Sequence, residues 1–260
     1  MDLSRTRVVL RERAVVDVLD LALRFLVEHG AVYAKTALLV LPPYILGSLW
    51  LARAFGPVAG WAFAIFFAGH AGAPFTVIAS RLVFEDDVRI FQTLLLTGRV
   101  AMRLFLVRLV IVSGGLVGAV FFVFPGVWFL SLSLFVVEVT TLEHAAPAAA
   151  LSRSLRLALR ESGAALMALL LLTMLHFVVV LAADIGGRTI ISALLETRPP
   201  EAMWGRGWSV LSLLGFWLFV PYAATARFLV YIDIRTRSEG WDIQTRFTAL
   251  ATRAEARTAA

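Results

Sequence analysis

The residues of this chain that have acid–base, nucleophilic or metal-binding capacity are few and scattered. Four histidines are present, His29, His70, His144 and His176. No two stand three or four positions apart, the spacing that sets imidazoles on one helical face as metal ligands. There is no cysteine, which removes disulfides, thiol nucleophiles, iron–sulfur clusters and thiolate zinc sites. A glycine-rich phosphate loop with its lysine, a His-Glu-x-x-His helix, and a serine, histidine and carboxylate set on one membrane face are all missing. Asp86 and Asp87 adjoin as a Mg²⁺ pair would, but the helix dipole also favours two carboxylates in a first helical turn. The expectation is a protein that is not an enzyme and uses no cofactor or metal.

A second group of polar residues matters for where it sits. His70, Arg108, Glu138, His176 and Arg227 all fall inside long apolar runs. A charge at mid-membrane costs about 2.5–3.5 kcal/mol even on lenient scales, so each of these groups needs a partner or a role. For the two histidines the simpler reading is a neutral ring hydrogen-bonded to a neighbouring helix, and the other is a proton relay. Glu138, Arg108 and Arg227 each lie within about two turns of the same membrane side, so the three are expected to meet at one level. Alternatively the arginines snorkel to the headgroups and Glu138 marks an earlier end of its span.

These positions presuppose the elements that carry them. The chain has 260 residues, 60% apolar and only 16% charged, and its mean hydropathy is +0.85. A soluble domain carries about a quarter charged residues, so lipid must be the neighbour of much of this surface. A roughly 30 Å hydrocarbon core needs about 20 apolar residues per helix. Such runs fall at 33–54, 58–81, 101–123, 126–142, 163–185 and 209–232. Breakers separate odd from even runs, with Gly56-Pro57 after the first, Pro125-Gly126 after the third and Pro199-Pro200 after the fifth. The predicted fold is all-α and polytopic, with six transmembrane helices arranged as three hairpins. No cleavable signal peptide is expected, since the first thirty residues are charged and lack a compact apolar core.

All but one of the 24 basic residues are arginine, and the net charge is +6. They crowd before the first, third and fifth spans and after the sixth, which assigns both termini to the cytoplasm. Trp50, Trp61, Trp128, Trp204 and Trp208 fall at the opposite ends of the spans, as interfacial indoles do. Such a basic balance in so apolar a chain implies an anionic lipid surface as partner and not nucleic acid.

A weak repeat underlies the hairpins. The amphipathic stretches 14–30, 85–98 and 146–163 each precede one and each close on a glycine, Gly30, Gly98 and Gly163. Helices of this kind lie in the membrane interface with the charged face in water. Residues 1–235 therefore read as three helix-plus-hairpin units, and 236–260 as a cytoplasmic amphipathic tail. Arg153, Arg156 and Arg160 of the third stretch, with Arg246 and Arg253 of the tail, are the expected lipid-binding residues.

Several segments together resemble the membrane-domain family associated with bacterial glycerophosphodiester phosphodiesterases and its stand-alone polytopic relatives. They are VLDLALRFLVEH (18–29), FPGVWF (124–129), Glu143 with ALSRSLRL (150–157), and YIDIR (231–235) with EGWDI (239–243). No phosphodiesterase barrel is expected within this sequence, because no soluble stretch in it approaches the roughly 250 residues such a barrel needs. The resemblance implies the fold and a bacterial inner-membrane setting, and it transfers no catalytic residue. Two functions follow as expectations: a non-enzymatic scaffold, oligomeric or bound to other membrane proteins, that organises or senses lipid, or a small permease or channel subunit with His70, His176 and Glu138 along its path.

Overall fold

The computed structural model describes residues 14–83, 88–121, 123–194 and 196–239, and no strand occurs among them. The helices are α1 (Val15–Glu28), α2 (Gly30–Phe55), α3 (Pro57–Leu82), α4 (Ile90–Phe121) and α5 (Val123–Leu132). They continue as α6 (Val136–Leu142), α7 (Pro147–Arg160), α8 (Ser162–Leu194), α9 (Met203–Arg206) and α10 (Val210–Glu239). Six segments are long and apolar enough to span: α2, α3, α4, α5 with α6, α8 and α10. The chain is an all-α multipass membrane protein.

The three hairpins pack as α2 on α3, α4 on α5 and α8 on α10. Without a hydrophobic drive between helices in lipid, close backbone approach through small residues holds such pairs. Each hairpin closes on a glycine. A Cβ at Gly60 would lie 2.6 Å from that of Ala52, one at Gly215 2.5 Å from that of Ala183, and one at Gly118 2.9 Å from the Gly126 backbone. The centre of the bundle is α3 and α10, buried over 61% and 72% of their most apolar windows against 17% for α2 and 22% for α8. Lipid therefore borders chiefly α2, α4 and α8.

Three departures from expectation have physical reasons. The second amphipathic stretch is not a separate helix but the first turns of α4. A single Gly98, without proline, weakens a helix by about 1 kcal/mol and does not end it. The third-to-fourth turn lies before Pro125, which sits in the first turn of α5, where a missing N–H is harmless.

The fourth span, expected as one helix over 126–142, is broken between α5 and α6. Ser131 and Ser133 hydrogen-bond back to the carbonyls of Trp128 and Leu130, competing with the helical ladder. The Leu134 and Val136 amides then bond three residues back. Such a break survives at membrane depth only where protein surrounds it, and Ser131, Phe135 and Val136 are fully buried. The first and third amphipathic stretches do form separate helices, α1 and α7. The expected tail helix with Arg246 and Arg253, the stretch holding Asp86 and Asp87, and residues 1–13 lie outside the described residues.

Candidate functional site

The ends of α3 and α6 meet the start of α4, and α7 packs against α4, α5, α6 and α10. Glu143, which follows the last turn of α6, is the hub of this region. Its Oε2 lies 2.5 Å from Arg153 Nε on α7, and its Oε1 lies 3.4 Å from Arg235 Nη1 on α10. The Tyr231 hydroxyl donates to the same Oε1 at 2.5 Å and accepts from Arg235 at 3.0 Å. One carboxylate thus ties two guanidinium groups and a phenol from two helices, α7 and α10. Glu143 thereby brings the 150–157 and 231–235 segments together.

A second tie lies deeper. Ser154 of α7 is fully buried, donates to the Leu132 carbonyl at 2.9 Å and accepts from the Phe135 amide at 3.2 Å. It therefore satisfies both ends of the break in the fourth span.

Beside the break sits the expected intramembrane pair. Arg227 Nε donates to Glu138 Oε1 at 2.6 Å, with the Glu138 side chain 0% exposed and that of Arg227 16% exposed. The expected three-way meeting does not form. Arg108 donates instead to the Phe66 carbonyl at 3.1 Å and the Ile65 carbonyl at 2.7 Å. Both arginines cross α3 at glycines, Arg108 at Gly69 and Arg227 at Gly72. A carbonyl's second lone pair remains open to a donor inside a helix, and a guanidinium with five N–H groups can use it.

His176 Nε2 donates to the Phe216 carbonyl at 3.0 Å, and its ring stacks on Phe216 at 4.3 Å. The ring thus bonds the backbone of a neighbouring helix. His70 is enclosed by Phe66, Phe67 and Phe105. Both its ring nitrogens are buried without a hydrogen-bond partner among the described residues.

Of the expected lipid-binding arginines, Arg156 and Arg160 are exposed, and Arg160 also donates to the Ser238 carbonyl at 3.0 Å. Arg153 is turned inward to Glu143. Sequence reasoning missed Asp184, 1% exposed at the opposite end of the bundle, where it accepts from the Met203 amide and the Ser209 hydroxyl. That carboxylate anchors the connection before α10, at Met203 and Ser209, to α8. Its partners are distant in sequence, and its place at the expected end of the fifth span gave no signal.

A cavity of about 170 Å³ opens between the ends of α3, α4 and α6, lined among others by Arg81, Thr97, Thr141 and His144. None of His70, Glu138 or His176 lines it. Among the described residues, no group of three metal-ligating side chains converges. Comparison with family models, curated proteins and solved structures gave no match.

Proposed function

We propose that this chain is a non-enzymatic scaffold of a bacterial cytoplasmic membrane that organises or senses anionic lipid through its interfacial helices, with both termini cytoplasmic. It acts as an oligomer or together with other membrane proteins, and it belongs with the membrane-domain family that its segments resemble. The observation that carries the reading is the surface of α7. Ala150, Leu157 and Ala158 are buried against the bundle, while Arg156, Leu159 and Arg160 are exposed side by side. An apolar side chain between two guanidinium groups suits a helix lying at headgroup depth, where each basic residue contributes about 1 kcal/mol towards anionic lipid. The same end of the bundle carries Arg99 and Arg103, also exposed. Four of the five intramembrane ionisable groups favour a scaffold over a permease, because Glu138, Arg227, Arg108 and His176, though not His70, are engaged with one another or with backbone.

The test is the lipid retained around the full-length protein when it is excised from membranes with its surrounding bilayer. Phosphatidylglycerol enriched over bulk membrane, with the enrichment reduced in Arg156→Gln/Arg160→Gln, supports the proposal. A retained lipid composition equal to bulk for both proteins refutes it.

A further inference from the structure

We infer that the cavity between α3, α4 and α6 is a specific site for a phosphate anion, carried by the headgroup of a single membrane phospholipid. The inference deepens the lipid reading above, but it rests on different residues from those of α7.

Arg81 stands in the last turn of α3 and lines the cavity. It is half-buried, and among the described residues it has neither ion pair nor hydrogen bond. Other buried or half-buried arginines differ: Arg108 is bound to carbonyls, and Arg227, Arg153 and Arg235 face carboxylates. A half-desolvated guanidinium left without an acceptor is a bidentate seat for an anion, and phosphate oxygens match its planar fork.

His144 supplies a second donor. It adopts a left-handed backbone, φ 53°, which costs a non-glycine residue about 1 kcal/mol or more. Arg103 holds it there by donating to its carbonyl at 2.8 Å. This turn between α6 and α7 puts His144 in the cavity wall, with no ring hydrogen bond among the described residues. The Thr97 and Thr141 hydroxyls donate to carbonyls of their own helices, so Arg81 and His144 carry the uncommitted N–H groups of the wall.

The rest of the wall favours a lipid over soluble phosphate. Val77, Leu96, Val100 and Leu142 line it, an apolar surface that suits the glycerol and the first methylenes of an acyl chain. The cavity also lies where α3 and α6 end and α4 begins, at headgroup level for a bundle of this length.

The test measures phosphatidylglycerol binding to the full-length protein in detergent by native mass spectrometry, with folding checked by size exclusion. The expected wild-type result is one tightly held phosphatidylglycerol, with diacylglycerol of the same chains not retained. Arg81→Gln should weaken that binding by about tenfold or more, the effect of removing a charged hydrogen-bond partner. Arg81→Lys should retain most of it. Leu96→Trp, which fills the cavity and leaves both donors in place, should also abolish it, so a poorly folded Arg81→Gln does not spare the inference from test. Unchanged affinity in Leu96→Trp and in a folded Arg81→Gln overturns the site. Displacement of the lipid by millimolar inorganic phosphate overturns the assignment to a lipid, and equal retention of diacylglycerol overturns the phosphate seat. Binding lost in Arg156→Gln/Arg160→Gln but kept in Arg81→Gln overturns this inference and leaves the α7 reading standing.

Discussion

At the scale of residues, the buried Glu138 and Arg227 are the most consequential pair. Desolvating two charges is repaid only by close geometry, and removing one partner strands the other. Glu138→Gln should therefore destabilise the protein by about 3 kcal/mol, read as a lowered Tm in detergent. Replacing Arg227 by Met in the same protein should recover part of that loss through coupling of about 0.5–3 kcal/mol. Arg108→Met should add independently to Glu138→Gln, because Arg108 serves the Ile65 and Phe66 carbonyls. Coupling between Glu138 and Arg108 as large as that with Arg227 would contradict this geometry. The depth and sign of Glu138 and Arg227 were legible in the sequence. The loss of Arg108 to backbone acceptors was not, because every residue has a carbonyl and only the packing at Gly69 decides which is reachable. Glu143 was visible only as part of a resemblance, since its partners lie ten residues away on α7 and almost ninety away on α10.

At the scale of elements, five of the six spans were readable from apolar length, because hydrocarbon thickness imposes it. The fourth reads as continuous for the same reason: serines barely interrupt an apolar run, and what makes them break the helix is Ser154 arriving from α7. Ser154→Ala should leave the Leu132 carbonyl and the Phe135 amide without their side-chain partner, at a cost of about 1–3 kcal/mol. Ser152→Ala, whose hydroxyl bonds only within α7, should be close to neutral. Equal Tm values for the two variants would show that the broken span does not depend on α7. The hairpin contacts make a parallel prediction. Gly215→Leu should cost about 1–3 kcal/mol or more by overpacking against Ala183, whereas Gly186→Leu, with open space around it, should be tolerated, both judged by the yield of monodisperse protein.

At the scale of the whole molecule, the arrangement is a bundle centred on α3 and α10, bordered by lipid on α2, α4 and α8, with a basic rim at one end. In the topology proposed from the arginine asymmetry, that rim is cytoplasmic. In this cysteine-free chain a Cys at Gly205 should react with a membrane-impermeant thiol reagent in intact cells, and a Cys at Gln92 only after permeabilisation. The reverse pattern would invert the topology. The lipid claim is tested most directly by the thermal stability of the full-length protein in nanodiscs of increasing phosphatidylglycerol content at low and high salt. The account predicts a Tm that rises with phosphatidylglycerol, a rise that shrinks in high salt as counter-ions screen the rim, and a smaller rise in Arg156→Gln/Arg160→Gln. A Tm indifferent to both lipid charge and ionic strength would contradict it.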